Sequence, residues 1–509
     1  MKKNLYVLFI LSILSNILSA QNIFQKVTGL GYPGNAQSFC MSADSTIVST
    51  CSGSLIKTDT AGNLIWAKRY LAPGMLKKSK VISLGNGGYA ILFDMILDGF
   101  GSGDVMVFNT NSEGLIQWIK YFGTDYADVP EDITELANGD FVIAGQANSF
   151  SHTDKDMMLM RMNKFGDQYW QRSYGSFLND DVAHKLIHSA FGGFIISGDL
   201  GQMKCILRTD DNGVVKWCLT YGSGSLMDMV ENPANGDLIT CGYTTENTRS
   251  GKNIFVMKTD SAGVVLWSKK IGDDNNEIAY SINCSQDFSL AYIAGKYLVD
   301  IASTSDAFVA CLGAEEGSIH WAKIYGSQLN DLFYDNLIYN ANSLINIGSS
   351  ECCDTTFQNI YMVKTTLDGI SGCNEMELVP LIDSNLIIVP ETAVINTDTG
   401  EFWVTSTCYP PNTINYQQLT LCTTESVDES SEPNFMIYPN PAHNILNINY
   451  SLSDRQMLEL YNVTGSIIKC QYASDGSTIK INVENYPRGI YLIRISGTQQ
   501  IVTQKFILD

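Results

Sequence analysis

The 509-residue chain carries 53 Asp and Glu against 32 Lys and Arg, a net charge of −21. That acidity excludes nucleic acid and anionic membrane as partners, because both select a basic footprint. With 45% hydrophobic and 17% charged residues the chain is globular, and its length calls for several domains or one large repeat array.

At the front, Lys2 and Lys3 precede an apolar run from Leu5 to Leu18, and Ser19 and Ala20 lead into Gln21. This is the order of regions in a secretory signal, with cleavage expected between Ala20 and Gln21. The run is shorter than the roughly 20 residues that span a bilayer. Nothing further along is long and apolar enough to cross, so no transmembrane segment is expected in the mature chain. Thirteen cysteines in an exported chain permit disulfides, and the odd number leaves at least one unpaired within a monomer.

The body is organised by a repeat of about fifty residues. Segments such as TDTAGNLIWAKRY, TNSEGLIQWIKYFG and DSAGVVLWSKKIG each place a Gly four residues before a Trp. The anchors are Trp66, Trp118, Trp170, Trp217, Trp267 and Trp321, spaced by 52, 52, 47, 50 and 54 residues. Gly369 and Cys373 continue the register at one end, and Phe24 takes the aromatic place at the other. Within one unit, Ile133 to Leu136, Phe141 to Ala144, Met157 to Met162 and Gln168 to Tyr174 read as four strands, with Ala137-Asn138-Gly139-Asp140 as a tight turn.

Radially repeated four-stranded units make a β-propeller. The expectation is an all-β chain whose residues 21–373 form a seven-bladed propeller of four-stranded antiparallel blades. The orphan strand Phe24 to Thr28 would complete the last blade and close the ring. Turns between first and second strands and between third and fourth are short. The long second–third loops and the crossovers open on the opposite end, with Asp125, Asp128, Asp180, Asp181, Asp273, Asp274, Asp331 and Asp335. That end is expected to be a solvated acidic rim and is a candidate calcium site, although no calcium-loop spacing occurs. The repeat resembles a family of bacterial surface and secreted proteins with propeller-like units and no common activity. The resemblance covers residues 22–373.

Residues 374–424 are β-rich but unrepeated, and 425–434 read as an acidic, Ser-rich linker. From 435 to 509 about seven short strands suggest a small Ig-like β-sandwich. The runs YPNPAHNILNI, LYNVTGSII and PRGIYLIRI closely resemble the type A sorting domain of the type IX secretion system of Bacteroidota, through Pro439, Asn440, Pro441, Gly489, Tyr491 and the near-terminal Lys505. The resemblance implies export through the periplasm, recognition by the type IX machinery, and release outside or attachment to the outer cell surface.

Chemistry is harder to place. Repeats of pyrroloquinoline quinone dehydrogenases share the Gly-to-Trp offset and a vicinal cysteine pair like Cys352-Cys353, yet no cofactor-binding set appears. His184 and His188 would share a strand face but lie too far apart to chelate one ion. No catalytic residues and no cofactor emerge, so a binding or scaffold role for an extracellular protein or glycan ligand is expected. The alternative is a secreted propeller enzyme acting on a polysaccharide or an alcohol at the acidic long-loop face. Two disulfides are candidates, Cys205 with Cys218 across a hairpin turning at Asp210 to Gly213, and Cys408 with Cys422.

Overall fold

The computed structural model describes residues 23–29, 36–70, 75–96, 103–124, 126–148, 155–176, 179–246, 248, 251–272, 275–298, 304–327, 329–351, 359–372, 374–378, 383–398, 403–405, 412–413, 417–423, 435–450, 456–461, 467–473, 479–484, 486–496 and 501–508. The signal cleavage position, Ala20 and Gln21, and the vicinal Cys352-Cys353 lie outside them, as does Cys408. The chain divides into two compact units, residues 1–425 and 426–509.

The first unit is built of four-stranded antiparallel sets. One is Val129–Glu135, Phe141–Asn148, Lys155–Met162 and Gln168–Gly175, in that spatial order. Its first turn closes as the Asn-Gly pair demands: Gly139 N donates to Leu136 O, and Gly139 adopts a φ of 84°. The strand Val215–Glu231 is long because no loop interrupts it at Gly222 to Asp228. It ends one set and begins the next, fusing both into one nine-stranded sheet. Phe24–Gly29 pairs with Asn359–Thr366 and supplies the outer strand of the set that opens with Asp331–Tyr339. Each inner strand packs on the next, and the last, Asp331–Tyr339, packs on the first, Ala36–Met41. The circuit is closed. This is a β-propeller-like fold.

The repeated glycine and tryptophan are complementary between sets, not within one. A Cβ on Gly114 would lie 2.9 Å from the Trp66 indole of the preceding set. Gly166 meets Trp118 in the same way at 3.1 Å, Gly263 meets Trp217 at 3.3 Å, Gly317 meets Trp267 at 2.7 Å, and Gly369 meets Trp321 at 2.8 Å. Trp170 instead lies under the Arg172 guanidinium, 5.9 Å from its ring centre, and beside Phe194. The tryptophans are half-buried, because each covers a turn at the outer end of a set and keeps one edge in solvent.

Residues 375–423 form a belt. Glu375–Glu377 adds an outer strand to Ile319–Tyr325, Asp383–Asn385 to Val265–Ile271, and Glu391–Thr392 to Val215–Glu231. Asn396–Asp398 then pairs with Gln168–Gly175, Trp403–Thr405 with Ile116–Gly123, Asn412–Thr413 with Leu64–Arg69, and Gln417–Thr423 with Phe24–Gly29. The chain thus returns around the rim in reverse order, capping the outer edge of every set. Its side chains alternate: Leu386 and Ile388 pack on one core cluster, while Ile387 and Val389 stay exposed.

The second unit pairs Phe435–Tyr438, Ile445–Tyr450 and Ile479–Asn482 in one sheet. Ile467–Ala473, Gln456–Tyr461, Gly489–Ser496 and Ile501–Leu508 form another. Leu446, Ile448, Leu458, Leu460, Ile493 and Phe506 form its core. Pro439, Asn440 and Pro441 are exposed, but Asn440 Oδ1 accepts from Ile507 N at 2.9 Å, tying this segment to the last strand. Tyr491 stacks on Phe506 at 5.6 Å, Gly489 starts its strand with open space around it, and Lys505 is exposed opposite Leu492.

Candidate functional site

The inner strands share a defect that places side chains. Near the start of each, pairing with the second strand slips by one residue. A bulge of this kind interrupts the alternation of faces and re-aims the extra residue. The residues set in the slips include Gln37, Lys78, Glu131, His184, Met227, Tyr280 and Tyr334, one from each inner strand. All of them line one cavity of about 230 Å³. It lies at the end of the inner strands that follows the crossovers.

Around the circuit, Gln37, Lys78, Glu131 and His184 occupy consecutive strands, and Met227, Tyr280 and Tyr334 the remaining ones. Lys78 Nζ donates to Glu131 Oε1. His184 lies 3.1 Å from Asp199 Oδ1 through Nε2 and 4.0 Å from Glu131 through Nδ1. Gln37 Oε1 accepts from Ser79 N at 2.7 Å. The Tyr280 and Tyr334 rings are 5.4 Å apart, tilted by 48°. Burial, and then the neighbouring Tyr334, push the Tyr280 phenol above its ordinary pKa.

Below this layer, the residues that follow the bulges lock the inner strands together. Asp132 accepts from Leu186 N at 3.0 Å, Asp228 from Ile282 N at 2.9 Å, and Asp335 from Phe39 N at 3.4 Å. Lys185 bridges Asp228 at 3.2 Å and Asp132 at 3.8 Å, and Lys80 reaches Asp335 at 3.5 Å. Burial alone would lower both lysines. The facing carboxylates outweigh it and hold both above the usual lysine value.

The crossover aspartates correct the expected solvated rim. Asp128 accepts from Thr124 N and Oγ1, Asp181 from Ser176 N, and Asp331 from Ser327 N and Oγ, and all three are buried. They staple the crossovers because a buried carboxylate is tolerated only with donors around it. Asp180 is exposed, and Asp125, Asp273 and Asp274 lie outside the described residues. Among the described residues no group of three His, Cys, Asp or Glu is placed to hold a metal ion.

The two histidines do not share a face. His184 sits in a bulge and lines the cavity, whereas His188 lies beside Phe194 and within 3.4 Å of Asp211. The Cys205 hairpin is also corrected. Its turn closes between Asp210 and Val214, and a second slip falls at Arg208/Thr209, so Cys205 pairs with Thr220 and Cys218 with Leu207. The two cysteines are diagonal neighbours on one face, both free and buried, with Sγ atoms 3.4 Å apart. Cys422 pairs with Gln25 in the belt's last strand.

Against known families, residues 436–509 match the secretion system C-terminal sorting domain. The tail is a type IX secretion sorting domain. The protein is therefore exported by that system to the cell surface or the extracellular space, and the sorting domain is its point of contact with the secretion machinery. No curated protein matches the chain in sequence. Among solved structures it is similar to the Neurospora crassa Pan2 WD40 domain, at 12% identity and a TM-score of 0.44, over 67% of this chain and 95% of that one. It is also similar to the C-terminal WD40 domain of Sif2, at 10% identity and 0.39, over 66% and 98%. A Dyadobacter fermentans protein of unknown function matches at 11% identity and 0.35, over 68% and 98%. Among the described residues no helix is long and apolar enough to cross a membrane.

Nothing in the hydrophobic pattern pointed to the bulge residues. The one feature some of them share is an Asp directly after, as in Glu131-Asp132, Met227-Asp228 and Tyr334-Asp335.

Proposed function

We propose that the mature body is a seven-bladed β-propeller, delivered outside the cell by a cleaved signal and an Ig-like sorting domain, that binds an extracellular ligand in the cavity at its hub. The observation that carries this reading is the set of bulges. Each inner strand gives up regular pairing at the same place, and each gives one side chain to the same cavity, six residue types among the seven. A bulge costs ladder hydrogen bonds, and although the residues after the bulges tie the strands together, that tie does not require the bulged side chains themselves to face one cavity. The dissimilarity of the side chains supports recognition of one asymmetric ligand, because a structural device would repeat the residue as the repeat itself does.

Filling the cavity tests the reading. Met227→Trp in the full secreted chain should abolish binding to whichever glycans or surface proteins the wild type retains on an array, while leaving the thermal melt within a few degrees. Undiminished binding by a folded Met227→Trp variant would place the ligand elsewhere.

A further inference from the structure

The cavity has two unlike walls. On one side Tyr280 and Tyr334, on adjacent inner strands, stand 5.4 Å apart at 48°, with Met227 on the strand before them. Two tilted aromatic faces and a thioether form a polarizable, apolar wall whose ring faces carry negative potential. Across the cavity stand Gln37, Lys78, Glu131 and His184, a wall that offers both donors and acceptors. We propose that this cavity binds one neutral sugar ring, as the end residue of an uncharged glycan. The inference rests on the reading of the cavity as the ligand site and adds the class of ligand.

Three observations point to that class. The first is the division of the walls. A pyranose has a face of C–H bonds, weakly positive, which suits the tyrosine faces, and a rim of hydroxyls that both donate and accept, which suits the opposite wall.

The second is charge. The lysines in and under the cavity already face carboxylates: Lys78 with Glu131, Lys80 with Asp335, and Lys185 with Asp228 and Asp132. An anionic ligand would be desolvated there without an unmatched partner, at a cost that a neutral ligand avoids.

The third is size. About 230 Å³ is below the roughly 300–1,000 Å³ of pockets that hold drug-sized ligands, enough for one ring but not for a folded peptide segment.

The test is calorimetric titration of the full secreted chain with methyl glucoside, methyl galactoside, methyl mannoside and N-acetylglucosamine, alongside glucuronate and glucosamine as charged counterparts. At least one neutral sugar should bind saturably, and its charged counterpart should bind about tenfold more weakly. Tyr280→Ala and Tyr334→Ala should each weaken the neutral sugar about tenfold with the melt preserved, while Tyr280→Phe and Tyr334→Phe keep the stacking face and most of the affinity. No binding by any neutral sugar, preference for a charged one, or full affinity in the folded alanine variants would overturn the proposal. The underlying reading fails differently. If a sugar binds wild type and Met227→Trp equally, the cavity is not the site. If Met227→Trp abolishes binding of a non-sugar ligand and no sugar binds, the cavity stands and the sugar class falls.

Discussion

The ring of Phe24 occupies the space where a side chain on Gly62 would stand: a Cβ there would lie 2.6 Å from Phe24 Cζ. Phe24 belongs to the last set and Gly62 to the first, so this contact repeats, across the seam of the circuit, the Trp-on-glycine contact made between other sets. It explains why the aromatic place at the front of the repeat is filled by Phe24, ahead of the first set.

These contacts separate two roles of glycine. Gly317 has a φ of 67° and no room for a Cβ against Trp267, while Gly87 has a φ of 83° and nothing within 4 Å. Gly87→Ala should therefore cost only the backbone term of about 1 kcal/mol. Gly317→Ala should cost about 2–4 kcal/mol, because the indole must also move. Trp267→Ala, removing a half-buried ring, should cost about 2–3 kcal/mol. The Trp267→Ala, Gly317→Ala double variant should lose less than the sum. Chemical denaturation reads all four, and equal losses for Gly87→Ala and Gly317→Ala would deny the contact its role.

The belt should matter to the whole body. Without residues 375–423 the outer strands of the sets expose unpaired backbone groups, and Phe24–Gly29 loses the partner on one of its sides. A chain ending at residue 374 is expected to melt well below one ending at 425 and to self-associate at edges. Size-exclusion chromatography with a thermal melt checks this. A monomer with an unchanged melt would show the belt to be a passive tail.

Burial, with the Asp128 and Asp94 carboxylates beside it, pushes Asp104 up to about 7, and burial pushes Asp128 up to about 6. Neither oxygen of Asp104 has a hydrogen-bond partner among the described residues. Both values lie above the ordinary carboxylate range of about 4. Folding therefore favours the protonated forms, and this contribution is complete below about pH 4 and lost as pH rises through 6 and 7. Asp104→Asn should flatten the fall in stability between pH 5 and 8 and leave the variant about 1–3 kcal/mol more stable at pH 8. Denaturant midpoints across that range decide it. If calcium raised the wild-type midpoint at pH 8 but not that of Asp104→Asn, a cation and not a proton would be the missing partner.

Cys205 and Cys218 are placed for contact but not for a bond. Diagonal cross-strand neighbours are about 7–8 Å apart at Cα, beyond the usual reach of a disulfide. The Cys218 thiol beside it, and then burial, raise the Cys205 thiol well above its ordinary value, which slows its reactions as a thiolate. Mapping under non-reducing conditions should recover both as thiols that alkylate only after unfolding. A peptide linked through the pair would contradict the shifted register.

Much of this architecture was legible. The tryptophan spacing, the Asn-Gly and Asp-x-x-Gly turns and the front strand led to four-stranded sets and a closed circuit, because each is a local signal repeated in register. The tail was legible as a motif. What escaped was set by single residues. A bulge adds one residue to a strand without changing its composition, and Glu131 stands before the Ile133 to Leu136 strand that the sequence marks. The same blindness shifted the Cys205 hairpin. The belt pairs in pieces as short as Glu391–Thr392, too short to show alternation, and its partners lie far away in sequence.

The central claim is that the bulge-lined cavity is where this exported protein meets its ligand. A crystal structure of the secreted chain soaked with the tightest-binding neutral glycoside tests it most directly. The account predicts one sugar ring in the cavity, its flat face on Tyr280 and Tyr334 and its hydroxyls toward Gln37 and Glu131. An empty cavity with the sugar held on the outer loops or along the belt would contradict it.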